Sequence, residues 1–311
     1  MQILRTPDER FVGLPDFPFA PHYAEIASVS GDATSVPLRV HYLDEGPADA
    51  DPILLMHGEP SWCFLYRTMI PALVAAGHRV VAPDLVGFGR SDKPSEQSDY
   101  TYARHVAWMS ELVFHRLDLQ RVTFFGQDWG GMIGLRLVAA QPERFDRVVV
   151  SNTGMPDGTS APTEGFLKWQ TFSRESPVFP IGMIVNGGST SELAPEVVAA
   201  YEAPFPDDSY SSAARIFPSL VPTSGDDPEA PANRAAWAVL EQFHKPVLCA
   251  FSDKDPVTAG GERTFLRRIP GTQGQAHLTI EGAGHFVQED AGPQLAQVIL
   301  AFIERTRQAG V

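Results

Sequence analysis

The feature that most constrains the fold is the alternation of short apolar segments with longer amphipathic ones. The short segments are four to six residues long and lie at 53–56, 79–82, 122–125, 147–151, 246–251 and 277–280. The segments at 104–117 and 132–140 instead place apolar residues on one helical stripe. Strands that are apolar on both faces are typical of parallel sheets covered by helices. We therefore predict an α/β fold with a mostly parallel central sheet flanked by helices, to which residues 38–43 add an antiparallel edge strand.

The alternation stops between residues 151 and 235. This segment has 18 Gly and Pro residues, and its 11 acidic against 4 basic residues give −7, half of the net charge of −14. The strand–helix pattern resumes at 246, so an insertion between two strands of one sheet explains the segment better than a second domain in series. We predict a main domain formed by 1–152 and 236–311 and an inserted domain at 153–235.

Charge and cysteine content narrow the possible partners and location. The acidic balance, 38 Asp and Glu against 24 Lys and Arg, repels phosphate backbones and anionic membranes, so we expect neither a nucleic-acid nor a membrane partner. Two cysteines, Cys63 and Cys249, are too few to hold 311 residues by disulfides, and we predict reduced core thiols. The chain shows no signal-peptide pattern and no apolar stretch of membrane-spanning length, so we expect a cytoplasmic protein.

The strongest local motif is the hexapeptide GQDWGG at 126–131, between a predicted strand and a predicted helix. The glycines permit a strained turn that would lift Asp128 above the carboxyl end of the strand. This arrangement is typical of a nucleophile, with Asp in place of Ser; the alternative is an Asp that only caps the helix. A carboxylate is ionised at neutral pH and can attack an sp3 carbon, which forms an ester that water must then hydrolyse.

Hydrolysis of that ester needs a base, for which we select His285 in the Gly-rich loop 282–286. The predicted orienting acid is Asp255, just after the strand 246–251, because a buried carboxylate there would fix the imidazole tautomer and stabilise the imidazolium. The rival is Asp253, which would instead serve the turn. Asn152, after the strand 147–151, offers no carboxylate.

The same step needs an oxyanion hole. We predict that its donors are the backbone N–H groups of Trp129 and of Glu59, the latter in the loop HGEP at 57–60. The alternative for this loop is a plain strand-to-helix turn. Residues 87–92 lack the third glycine of a dinucleotide loop, and no metal-ligand spacing stands out, so we predict neither cofactor nor metal.

Together these motifs resemble the α/β-hydrolase fold, in which nucleophile, acid and histidine follow in the chain order of Asp128, Asp255 and His285. More closely, the chain resembles the haloalkane dehalogenases, in the branch typified by the Xanthobacter enzyme. The resemblance extends over nearly the whole chain and rests on the segments at 4–11, 17–23, 57–62, 126–131, 166–169 and 201–210.

The resemblance implies that 153–235 is a mainly helical cap domain and that the active site lies between this cap and the sheet. Trp129 and Trp169 would donate their indole N–H groups to the leaving halide, and Glu59 stands where the other branch has Asn as a halide ligand. The residues that would line an apolar pocket are Phe166, Phe217, Pro218 and Val221. The cap stretch 172–194 departs from the family pattern, which leaves pocket size and halide preference open.

The predicted function is hydrolysis of the carbon–halogen bond of a small neutral haloalkane, which yields a primary or secondary alcohol, halide and a proton. We expect a monomer. The rival enzyme is an epoxide hydrolase, which has the same order of catalytic residues and would need Tyr201 and Tyr210 to protonate the opening oxygen. A receptor of the same fold without turnover is disfavoured by the intact set of nucleophile, acid and base.

Overall fold

The structure is a computed structural model that describes residues 1–29 and 35–308. The strands in this part of the chain are β1 (Ile3–Leu4), β2 (His22–Ala27), β3 (Pro37–Glu45), β4 (Pro52–Met56), β5 (Arg79–Pro83), β6 (Lys93–Pro94), β7 (Val122–Gln127), β8 (Phe145–Ser151), β9 (Val247–Ser252) and β10 (Leu278–Ile280). Eight of them form one sheet in the order β10, β9, β8, β7, β4, β5, β3, β2, and β1 pairs separately with β6.

Most of the large sheet is parallel. All neighbouring strands from β10 to β5 pair in parallel, whereas β3 pairs antiparallel with both β5 and β2. The predicted mostly parallel sheet is confirmed, and each of its six predicted strands is present. The predicted antiparallel strand is present as β3, but its position at the edge is wrong, because β2 lies outside it. Only Ile26 of β2 is fully buried, so this strand has no clear apolar alternation to reveal it.

The helices described are α1 (Ile70–Ala75), α2 (Tyr102–Ser110), α3 (Asp128–Ala140), α4 (Glu164–Glu175), α5 (Ile181–Gly188), α6 (Pro195–Glu202), α7 (Ser212–Ile216), α8 (Ala230–Leu240), α9 (Glu262–Arg268) and α10 (Val287–Gln308). The predicted helix 104–117 is α2 continued by the π-helical turn Glu111–Arg116. Helices α4 to α8 follow one another between β8 and β9, which is the position of the predicted insertion.

The core lies on both faces of the central strands. Every residue of β4 and β7 is buried, which explains why these strands are apolar without alternation. Cys63 and Cys249 are both buried and unpaired. Among the helices of residues 1–29 and 35–308, none combines the length and the apolar character needed to cross a bilayer.

Candidate active site

Asp128 occupies a sharp turn between β7 and α3. Its φ of 52° lies in the left-handed region, which non-glycine residues seldom adopt, and its backbone N–H donates to the carbonyl of Asn152 over 2.9 Å. A Cβ atom at Gly130 would lie 1.9 Å from the carbonyl oxygen of Met56. The glycine therefore lets α3 begin directly against the end of β4, with Asp128 as its first residue.

The loop after β4 contacts the Asp128 carboxylate through its backbone. The N–H of Glu59 donates to Oδ1 of Asp128 over 2.8 Å. A Cβ atom at Gly58 would lie 2.2 Å from the same oxygen, so a glycine is needed for this close approach. The other predicted donor, the backbone N–H of Trp129, belongs to the first turn of α3.

His285 lies between two carboxylates. Its Nδ1 is 3.0 Å from Oδ2 of Asp255, and its Nε2 is 3.6 Å from Oδ2 of Asp128. Asp255 also accepts from the backbone N–H of Val257 over 2.8 Å. Asp253, the alternative acid, is exposed and accepts instead from the backbone N–H of Gly282. The structure thus brings together the three side chains that the chain order suggested.

These contacts shift the pKa values of the pair in opposite directions. Burial disfavours the carboxylate of Asp255, but the charge and the hydrogen bond of His285 outweigh it and lower the pKa of Asp255 to about 2. Burial also disfavours the imidazolium, but Asp255 and Asp128 outweigh it and hold the pKa of His285 well above its ordinary value. Each of the two groups therefore favours the charged form of the other.

Two buried side-chain amides, at the ends of β7 and β8, hold the loop 282–286 that carries His285, which we call the histidine loop. Asn152 donates through Nδ2 to the carbonyls of Gly284 and His285 over 2.9 and 3.0 Å. Gln127 donates through Nε2 to the carbonyl of His285 over 3.2 Å. Sequence reasoning missed this positioning function, although polar residues at the carboxyl ends of two adjacent apolar strands were a visible signal.

Trp169 differs from its expected arrangement. Its indole N–H, predicted to face the halide, donates to Oε2 of Glu59 over 3.1 Å. Glu59 is only 3% exposed, and its Oε1 has no hydrogen-bond partner among the described residues. Burial and the charge of Asp128 raise the pKa of Glu59 well above its ordinary value, so this carboxyl group is neutral more readily than an exposed one.

Trp129 is held by aromatic contacts. Its ring meets Tyr102 and Phe217 edge to face, with centroids 5.0 and 4.7 Å apart. Phe217, predicted as a pocket residue, is fully buried and packs against Trp129. Phe217 is the first residue of a short 3-10 helix after α7, and its ring lies in the protein interior.

A cavity of about 310 Å³ opens beside Asp128. Among the described residues, its wall includes Phe166, Pro218 and Val221 from the predicted pocket set, but not Phe217. Trp129, Trp169 and Glu59 also reach it. A space of this size with both apolar and polar side chains in its wall suits a small organic ligand.

Neither of the two cap tyrosines reaches this cavity. The described residues that line it include neither Tyr201 nor Tyr210. The hydroxyl of Tyr201 is directed instead to the carboxylate of Glu289. The structure therefore supplies neither phenol to an opening epoxide beside Asp128.

A second polar cluster lies under the loop after β5. The possible ligand atoms of His41, Cys63 and Asp84 are within 4.8 Å of one another. Asp84 already accepts from Nδ1 of His41 over 2.7 Å and from the backbone N–H of Cys63 over 2.8 Å. We therefore assign this cluster to holding the loop in place.

Comparison with known proteins agrees with this geometry. A family model described as the alpha/beta hydrolase fold matches residues 51–292. A haloalkane dehalogenase of Psychrobacter cryohalolentis is 57% identical over 303 residues, which are 97% of this chain and 98% of that protein. The chain belongs to the haloalkane dehalogenase family. The resemblance found in the motifs is thereby confirmed, and the epoxide hydrolase alternative is not favoured.

Other haloalkane dehalogenases match over the same share of this chain at lower identity. The protein of Mycolicibacterium paratuberculosis is 50% identical over 97% of this chain and 98% of its own length. A solved tetrameric structure of a haloalkane dehalogenase from Paraglaciecola agarilytica superimposes with a TM-score of 0.87 at 36% identity, and the match covers 97% of this chain and 98% of that one. The α/β-hydrolase fold is thus shown for this dehalogenase family member by sequence and by structure.

Proposed function

We propose that this chain is a haloalkane dehalogenase that hydrolyses the carbon–halogen bond of small haloalkanes in two steps. The observation that carries the proposal is the position of Asp128, which lines the cavity and lies with its Oδ2 3.6 Å from Nε2 of His285, whose Nδ1 contacts Asp255. No cofactor takes part in the proposed steps.

In the first step Asp128 is the nucleophile. One carboxylate oxygen attacks the carbon that bears the halogen, and the halide leaves with the bonding electron pair. Because the backbone N–H of Glu59 already binds Oδ1, Oδ2 is the oxygen that forms the ester. Indole N–H donors stabilise the leaving halide, since an unpaired anion is costly in an apolar cavity.

In the second step His285 is the base. Water attacks the ester carbonyl carbon while Nε2 of His285 takes its proton, and Asp255 stabilises the resulting imidazolium. The backbone N–H groups of Glu59 and Trp129 stabilise the oxyanion on Oδ1. Collapse of the tetrahedral intermediate breaks the bond between Cγ and Oδ2, and the departing alkoxide takes the proton from Nε2 of His285 and leaves as the alcohol. The oxygen of the water becomes the new carboxylate oxygen of Asp128, and its remaining proton passes to solvent.

The halide donors and the pocket also belong to this proposal. Trp129 is buried against Phe217, and Trp169 serves as the second donor once its N–H leaves Glu59. We further propose that 153–235 acts as a cap domain that contributes Phe166, Trp169, Pro218 and Val221 to the cavity wall.

The test is release of bromide from 1-bromobutane by the purified protein, with 1-butanol measured in the same reaction. Asp128→Asn removes the nucleophilic carboxylate and is expected to lower the initial rate at least about 1000-fold. Asp227→Asn, in a turn of the insertion where the carboxylate accepts from the backbone N–H of Glu229, is the matched control. Absence of bromide release from every short bromoalkane tested would reject the proposal, as would diol formation from styrene oxide without bromide release.

The proposal also covers the oligomeric state and the cellular location of the protein. Monomer and cytoplasmic location stay predictions, and the tetrameric relative supplies the alternative assembly. Sedimentation equilibrium of the purified chain distinguishes a monomer from a tetramer.

A further inference from the structure

Asp290 connects two segments that are far apart in the chain. It lies in the first turn of α10, five residues after His285. Its Oδ2 accepts from the backbone N–H of Gly284 over 2.8 Å. Its Oδ1 accepts from the backbone N–H of Ser191 over 2.7 Å, and the N–H of Thr190 contacts both oxygens at 3.0 and 3.1 Å. One carboxylate therefore binds the histidine loop and the segment after α5.

Direct backbone contacts reinforce this connection. The N–H of His285 donates to the carbonyl of Gly188 at the end of α5 over 2.7 Å. A Cβ atom at Gly284 would lie 2.5 Å from the same carbonyl oxygen. The two loops therefore touch backbone to backbone, and their separation depends on glycine at 284.

The hydrogen bonds at Asp290 require a carboxylate. Partial burial disfavours the charge, but the N–H groups of Thr190, Gly284 and Ser191 outweigh it and lower the pKa of Asp290 below its ordinary value. Both oxygens act as acceptors, so an amide in this place would set an NH₂ group against a backbone N–H. Among the described residues that line the cavity beside Asp128, Asp290 is absent, and no step of the proposed chemistry uses it.

We propose that Asp290 is a positioning residue that aligns His285 for ester hydrolysis by tying its loop to the segment 188–191. The inference rests on the two-step function proposed above, because it assigns Asp290 to the second step alone. Attack by Asp128 does not involve His285 as a base, so displacement of the histidine loop leaves the first step intact. Hydrolysis of the ester is slowed, because the proton transfer from water depends on the position of Nε2.

The experiment compares the two steps in Asp290→Asn with those in the unmodified protein. Rapid mixing with 1-bromobutane measures the first-turnover bromide burst, and intact-mass spectrometry measures the butyl ester on the protein. We expect a burst close to one bromide per protein molecule, accumulation of the ester, and steady-state turnover lowered about 10- to 100-fold. Asp207→Asn is the matched control, since Asp207 accepts from the backbone N–H of Ser209 on the exposed surface, and it should leave both steps unchanged.

A second variant tests the backbone contact between Gly284 and Gly188 without a change of charge. Gly284→Ala pushes the histidine loop away from the carbonyl of Gly188 and is expected to give the same accumulation of ester. If Asp290→Asn does not fold, two other variants test the role of Asp290. They are Gly284→Ala and Asp290→Glu, and the latter keeps both acceptor oxygens on a side chain that is one methylene longer. Equal loss of burst and turnover in folded Asp290→Asn or Gly284→Ala, or turnover in these two variants equal to that of the unmodified protein, would overturn the inference. Absence of any bromide release by the unmodified protein would instead overturn the proposed function.

Discussion

The indole N–H of Trp169 donates to the carboxyl group of Glu59 over 3.1 Å, and both side chains line the cavity beside Asp128. A halide that is bound by Trp169 must therefore replace a hydrogen bond that already exists. The protonation state of Glu59 matters for this exchange, because an ionised carboxylate would repel the halide, whereas a neutral carboxyl group would not. Burial and Asp128 both raise the pKa of Glu59, which favours the neutral form.

Substitution Glu59→Gln tests this protonation state. Gln keeps an oxygen acceptor for Trp169 and is neutral at every pH. Below the pKa of Glu59, the dissociation constants of bromide in the variant and in the unmodified protein should therefore differ by less than about threefold. Above that pKa the unmodified protein becomes ionised and should bind bromide more weakly, while the Gln variant should not. Bromide titrations monitored by tryptophan fluorescence at a series of pH values provide the measurement. The control is Glu192→Gln, on the exposed surface; stronger binding by Glu59→Gln at neutral pH would show that Glu59 is charged there.

Substitution Trp169→Phe removes the proposed second halide donor but keeps an aromatic ring beside Phe172 and Phe179, whose ring centroids lie 5.7 and 5.8 Å from that of Trp169. Loss of a hydrogen bond to a charged group costs about 1.5–3 kcal/mol, so kcat/KM for 1-bromobutane should fall about 10- to 150-fold. Trp108→Phe is the control, because that indole donates to the carbonyl of Ser28, outside the cavity wall. An unchanged kcat/KM in Trp169→Phe would leave Trp129 as the halide donor that matters.

Substitution His285→Gln should separate the two steps. The Asp128 carboxylate needs no base, so one bromide per protein molecule is released, and the ester then persists because water is not activated. Mass spectrometry of the peptide that contains Asp128 should show an added butyl group. His115→Gln, on an exposed π-helical turn, should turn over normally. Loss of the first-turnover bromide in a folded His285→Gln variant would contradict a first step that is independent of the histidine.

The pKa of His285 should fall during each turnover. In the free protein Asp128 is one of the two carboxylates that raise it, and formation of the neutral ester removes that charge. Ester hydrolysis, which needs neutral His285, should therefore persist to a lower pH than the pKa of His285 in the free protein. Rates of ester hydrolysis in single turnovers as a function of pH, compared with an NMR titration of His285, measure the difference. Coincident values would mean that the charge of Asp128 has no influence on the base.

Much of the fold is predictable because it depends on local patterns. Apolar residues recur with different periods in short buried strands and in amphipathic helices. Neither period continues after β8, so the sequence indicates both the sheet and the segment inserted into it. The sharp turn at Asp128 is local as well, since Gly130 and the strand before Asp128 are its neighbours in the chain. Strand β2 is less visible because Ile26 alone is fully buried in it.

The amino-acid sequence alone determined the strand–helix alternation, the place of Asp128, and the chain order of Asp255 and His285, since each depends on a short motif next to a strand. Only the tertiary structure decided that Glu59 binds Trp169, 110 residues away, that Phe217 supports Trp129 from the protein interior, and that Asp290 joins two loops about 100 residues apart. The reason is that such pairs form where separate segments pack together, and no local period or turn motif encodes which side chains then meet.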